Sequence, residues 1–224
     1  MYLSEIRMRA QEIKENLKNG NPFGEPVCFV AATKTQTVER INAAIEGGVD
    51  AIAENKAQEL RDKTGILPCP KHFIGHLQSN KLKYIVGNVE LIHSCDRDGI
   101  AEEIERLSMQ KGVRSSVLLQ INISEEQSKG GYSLEEGFKA FERLKNREYL
   151  QVEGFMAMLP ASDDRALLRR LARQMRTLFE RARECDDKIR FLSMGMSGDY
   201  PLCVEEGSNM IRLGSTVFGE RIYR

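Results

Sequence analysis

The chain has 224 residues, and its 33 basic and 33 acidic side chains cancel, which excludes a nucleic-acid-binding surface as its main function. At 41% hydrophobic it has apolar side chains enough for one full core, while no apolar run approaches the roughly 18 residues that span a bilayer. Cys28, Cys69, Cys95, Cys185 and Cys203 are odd in number, widely spaced and without a C-x-x-C pair, so a disulfide framework and a cysteine zinc site are excluded and a reducing cytoplasm is expected.

Residues 2–18 repeat Leu3, Ile6, Ala10, Ile13 and Leu17 at steps of three or four, the period of a helix. Asn19-Gly20-Asn21-Pro22 stops it, and its charged start lacks the apolar core of a signal peptide. Short apolar runs then recur at 27–33, 50–54, 72–74, 90–94, 116–122, 151–157, 189–194 and 210–214. Helix-patterned stretches lie between them. Val38, Ile41, Ala44 and Ile45 mark one, Ile100, Ile104 and Leu107 another, and Leu167, Leu168, Leu171, Met175, Leu178 and Phe179 the longest. Strands alternating with helices imply a parallel sheet, and strands apolar throughout imply cover on both faces. The expected fold is α/β, a single (β/α)8 barrel with an extra N-terminal helix, residues 1–224 forming one domain. A doubly wound open sheet is the competing topology. A barrel usually takes about 250 residues, which leaves this chain little for a second domain.

Barrel sites lie at the C-terminal ends of the strands. Lys34 follows the first apolar run there, as an amine at the rim of a core. Desolvation favours a neutral amine, and only a neutral amine attacks a carbonyl, so the position suits a Schiff-base lysine. A solvated lysine at a strand end has the same local sequence. After the last two runs come Ser193-Met194-Gly195-Met196-Ser197-Gly198-Asp199 and Arg212-Leu213-Gly214-Ser215-Thr216. Barrels often build phosphate sites from these two loops, where glycine lets backbone N–H groups approach and Ser197, Ser215 and Thr216 add hydroxyls. Ordinary turns with serine N-caps are the simpler alternative. Arg212, inside the last strand, requires an acceptor: a carboxylate such as Glu54, or a ring nitrogen of a ligand. An amine, a phosphate cradle and an arginine on one rim suggest pyridoxal 5′-phosphate (PLP).

The segments AATKTQ (31–36), AENKAQE (53–59), HFIGHLQSNK (72–81), QINISEEQSKGGY (120–132), LSMGMSGD (192–199) and GSNMIRLGSTVFGER (207–221) resemble, in order and over nearly the whole chain, those of the pyridoxal phosphate homeostasis proteins. The resemblance implies a fold similar to the N-terminal barrel of alanine racemase without its second domain. It implies that Lys34 holds PLP as an internal aldimine, that Asn55 lies beside the cofactor, that Ser197, Gly214 and Ser215 bind its phosphate, and that Arg212 faces its pyridine nitrogen. It implies binding and buffering of PLP in the cytoplasm, with apo-PLP enzymes as recipients and no catalytic reaction of its own. Two positions depart from the family pattern: Ala53 stands where glycine is usual and Ser215 where threonine is usual.

The rival is a racemase-type enzyme using the same cofactor. Two-base racemisation needs a second acid/base group opposite the lysine, and none of the six tyrosines is placed at the rim by spacing. A weak PLP-dependent side activity is compatible with this inventory. His72 and His76 flank a strand and turn, so they would not share a face as a metal pair, and no metal site is expected. Lys129, in a glycine-flanked loop, reads as a solvated lysine or a secondary amine for PLP capture. The expected partners are PLP and its recipients, with neither nucleic acid nor membrane, and the expected state is a monomer or weak dimer.

Overall fold

The computed structural model describes residues 1–63, 68–124, 126 and 130–220. Eight strands form a closed, wholly parallel barrel in chain order. They are β1 (Cys28–Ala32), β2 (Ala51–Glu54), β3 (Lys71–Phe73), β4 (Leu91–Cys95), β5 (Ser115–Ile121), β6 (Leu150–Ala157), β7 (Phe191–Ser193) and β8 (Met210–Leu213). Each coincides with an apolar run of the sequence to within three residues. Closure by β1 against β8, with Val30 opposite Arg212 and Ala31 opposite Leu213, excludes the open doubly wound sheet.

The helices α1 (Leu3–Asn16), α2 (Val38–Glu46), α5 (Asp98–Lys111) and α7 (Arg165–Arg183) lie where periodicity places them. The helices α8 (Tyr200–Glu205) and α9 (Ser215–Phe218) lie after Ser197 and Gly214, where serine N-caps leave room for helices, whereas α3 (Ala57–Lys63), α4 (Ser79–Leu82) and α6 (Leu134–Leu144) have no counterpart in the sequence reading. Most are too short to show a period. The exception, α6, is legible in retrospect: the Ser133 hydroxyl caps it by accepting from Glu136 N at 3.2 Å, and Ala140, Phe141 and Leu144 form its buried stripe.

The strands are covered on both faces, as their unbroken apolar runs require. Outside, α1 and α2 set Ile6, Ala10, Ile13 and Ile41 against Phe29, Ile52, Ile211 and Leu213. The remaining circumference is closed by a larger cluster that includes Ile104, Phe141, Phe155 and Phe179. Inside, Val30, Ala51, Ala53, Leu91, Leu118, Met156 and Met210 fill the barrel. Ala53 sits in regular ladder pairing with Ala32 and His72 and is fully buried, so β2 accommodates a methyl group at this position. No helix of the described residues is long and apolar enough to cross a membrane.

Candidate functional site

The six candidate ligand-binding residues fall on four consecutive strands at one end of the barrel. Ser197 follows β7, Arg212 lies within β8 near its end with Gly214 and Ser215 after it, Lys34 follows β1, and Asn55 follows β2. Because β7, β8, β1 and β2 are neighbours, these residues form one arc of the rim.

Lys34 is half-buried, two residues beyond β1. The next residue, Thr35, has a φ of 64°, rare for a β-branched side chain. A clamp holds the turn: Thr35 N–H donates to Glu59 Oε2 at 2.7 Å, and Lys63 Nζ donates to Thr33 O at 3.0 Å. Lys63 also pairs with Glu54 Oε1 at 2.6 Å, and the Thr33 hydroxyl donates to the same oxygen at 2.5 Å. Burial pushes the Glu54 carboxyl up, against the opposing pull of Lys63 and Thr33. Glu54 is therefore a brace for the Lys34 turn, and the carboxylate partner considered for Arg212 is engaged elsewhere.

Asn55 brings the β2 end against the β3 end. A Cβ at Gly75 would lie 2.0 Å from Asn55 O, so the two loops meet at a distance only glycine permits. Asn55 Oδ1 is buried without a hydrogen-bond partner among the described residues. A buried acceptor left unmade is costly, and such an atom at a rim suits a ligand donor.

The two small-residue loops converge. Thr216 N–H donates to Ser197 Oγ at 3.3 Å, across from the β8 loop to the β7 loop. Ser197 therefore does not cap the helix that follows it; its hydroxyl spans the gap and keeps its own proton for another acceptor. Gly195, with a φ of 105°, turns the chain here, and its carbonyl accepts from Arg212 N at 3.0 Å.

Arg212 is only 5% exposed and points into the barrel. Its Nη1 donates to Ser193 O at 2.9 Å and to Ser193 Oγ at 2.6 Å, and its Nη2 donates to Ala157 O at 3.0 Å. Guanidinium has five N–H donors. Nε–H and one Nη2–H remain without a protein acceptor among the described residues. Burial draws its pKa down to about 10, which leaves it cationic at neutral pH.

The sequence matches the family of the alanine racemase N-terminal domain over residues 3–222. It is 34% identical over 225 residues to the pyridoxal phosphate homeostasis protein of Aquifex aeolicus, covering 99% of this chain and 97% of that one. The chain belongs to the pyridoxal phosphate homeostasis protein family. Among solved structures it resembles PipY of Synechococcus elongatus PCC7942 with PLP bound, with a TM-score of 0.82, 28% identity and coverage of 96% and 100% of the two chains. An alanine racemase of Clostridium difficile shares the fold, with a TM-score of 0.81 and 17% identity, and the match takes in 97% of this chain but 57% of the racemase.

Family membership accounts for the rim motifs but leaves polar groups inside the barrel that the sequence reading passed over. His72 is buried and sits 3.0 Å from His93, while His76 is exposed and 3.7 Å from Asp96, so the pair does not share a site. No metal-binding cluster occurs among the described residues. The sequence reading missed His93, and it set Ser193 at the head of the β7 loop where the structure has it inside β7; both are fully buried. The available signal was a histidine within the run 90–94 and a serine in 189–194, polar residues where both faces are covered. Tyr132 is directed to the outer layer, donating to Asp98 Oδ1 at 2.8 Å. Lys129 lies outside the described residues.

Proposed function

We propose that this chain is a single-domain PLP-binding protein of the cytoplasm that serves cofactor homeostasis, holding PLP through Lys34 as a Schiff base and passing it to apo-enzymes, without a turnover reaction of its own. The observation that carries this reading is Arg212: a buried cation with, among the described residues, no hydrogen-bonded carboxylate and with donors left over, on the same arc as a lysine and two converging small-residue loops. The residues fit the cofactor's chemical parts. Two Arg212 donors suit a ring nitrogen, the orphaned Asn55 Oδ1 suits a ligand donor, and Ser197 with the Gly214-Ser215 backbone suits a phosphate. The likeness to PipY with PLP bound supports PLP as the ligand.

Bound PLP supplies an aldehyde for an amine and a ring that takes up electrons. This chain's residues bind and orient it. Arg212 stays protonated, so it can only donate; a ring nitrogen held there would be kept unprotonated, and the ring would be a weaker electron sink. That favours holding the cofactor over chemistry on an amino acid.

Purified protein loaded with PLP is expected to be yellow. Borohydride followed by peptide mapping is expected to place the pyridoxyl group on Lys34, and Lys34→Ala to lose both label and colour. A label chiefly on Lys129, or no visible band after loading, would reject the assignment.

The racemase-like fold favours one alternative, an amino-acid racemase. Incubation of the loaded protein with L-alanine in deuterated water separates the two. The expected result is no accumulation of the D-enantiomer over hours, because spacing places none of the six tyrosines at the rim as a second acid/base group. Sustained racemisation that vanishes in Lys34→Ala would replace the carrier reading with the enzyme.

A further inference from the structure

Inside the barrel, four buried side chains on four strands join end to end. Arg212 Nη1 on β8 lies 2.6 Å from Ser193 Oγ on β7. Ser193 Oγ lies 3.1 Å from His93 Nδ1 on β4, and His93 Nε2 lies 3.0 Å from His72 Nδ1 on β3. The chain thus crosses the barrel interior from the arginine of the candidate site to the far wall. The cofactor reading assigns nothing to its last three members.

The direction of every bond follows from its first donor. Guanidinium can only donate, so Ser193 Oγ accepts from Arg212. Ser193 has one proton, and the only other polar side-chain atom on its hydroxyl among the described residues is His93 Nδ1. Donation there makes His93 Nδ1 an acceptor and puts its proton on Nε2. His93 Nε2–H then donates to His72 Nδ1, whose ring must also carry its proton on Nε2. The opposite sense would leave the Ser193 proton buried without an acceptor, at the cost of an unmade hydrogen bond. Both rings are neutral in this arrangement, and burial holds both below the ordinary histidine range. No carboxylate touches either ring among the described residues, so nothing nearby favours the imidazolium.

We propose that Ser193, His93 and His72 form a one-way hydrogen-bond chain that positions Arg212 for the cofactor, locking its Nη1 edge so that Nε–H and the second Nη2–H face the ring-nitrogen site. Ser193 and His93 are positioning residues, acting through Arg212 and touching no ligand themselves. This rests on the PLP reading of Arg212. A guanidinium on a flexible stem loses rotamer freedom when it binds, and a chain that orders it beforehand removes that cost from binding.

The test has two arms. In cofactor-free protein labelled with 15N-histidine, NMR at neutral pH is expected to show His72 and His93 as neutral Nε2–H tautomers. An Nδ1–H tautomer at His93 overturns the chain. In the second arm, PLP affinity is measured for Ser193→Ala and His93→Phe, each expected to lose about tenfold, one charge-assisted bond's worth of ordering. In an Arg212→Met background neither change is expected to cost anything further, and Ser193→Thr, which keeps the hydroxyl, is expected to return affinity to the wild-type value. Equal losses with and without Arg212 overturn the proposal, since the residues would then act on the fold at large. Borohydride labelling of wild type separates the two failures. An unlabelled Lys34 overturns the PLP reading and this proposal together, whereas a labelled Lys34 with additive losses overturns this proposal alone.

Discussion

Lowering the pH from 7 to 4.5 is expected to destabilise this protein steeply, before most carboxylates titrate. The cause is the pair of neutral histidines in the barrel. In the unfolded chain each takes up a proton near pH 6.5. In the folded chain burial holds His72 neutral until about pH 4 and holds His93 well below its ordinary range, where His72 and Arg212 add repulsion. Between those limits the unfolded state binds more protons, so stability falls as pH falls. The His72 shift alone corresponds to about 3 kcal/mol by pH 4, and His93 adds to it. Glu54 works in the opposite sense, because burial raises its folded pKa and the folded state takes up that proton first as acid is added. One carboxyl offsets part of two imidazoles. Denaturant unfolding at pH 7, 6 and 4.5 measures the effect. His93→Phe, with one titrating ring removed, is expected to flatten the dependence between pH 6.5 and 4.5 whatever its stability at pH 7. A parallel fall in His93→Phe and wild type would show that other groups set the acid limit.

That histidine pair also marks the boundary of what the sequence disclosed. The eight strands were legible because a parallel barrel buries both faces of each strand, and unbroken apolar runs such as Cys28–Ala32 and Leu150–Ala157 are the direct consequence. The rim followed from the strands, since Lys34, Asn55, Ser197 and Gly214 need only their distance from a strand end to be placed. The side chains that meet across the barrel were not legible. His93 and Ser193 are 100 residues apart, and their contact depends on the closed geometry that brings β4 and β7 to face each other. Strand alternation says only that both point inward. The same limit applied to Arg212. The sequence showed an arginine that needed an acceptor and offered Glu54, but the β2 carboxylate was already held by Lys63, fixed in space by a short helix with too little periodicity to read.

The phosphate arm carries the second large effect. Pyridoxal, which lacks the phosphate, is expected to bind at least about 100-fold more weakly than PLP. Each lost charge-assisted hydrogen bond costs about 1.5–3 kcal/mol, and two such bonds already exceed that factor. The geometry behind the estimate is the Thr216 N–H to Ser197 Oγ contact of 3.3 Å, which draws the β7 and β8 loops together. The Ser197 hydroxyl accepts from one loop and has a proton to give, so a phosphate seated there takes a donor already held in place. Ser197→Ala removes that donor and the bridge between the loops. It is expected to weaken PLP by about tenfold while leaving pyridoxal nearly unchanged, which narrows the gap between the two vitamers. Ser215→Ala is expected to act in the same sense and less strongly, because Ser215 is exposed and water competes for its hydroxyl. The measurement is a spectroscopic titration of both vitamers against wild type and the two variants. Equal affinity of the wild type for PLP and pyridoxal would reduce both loops to turns, and would leave Arg212 and Lys34 as the whole of the site.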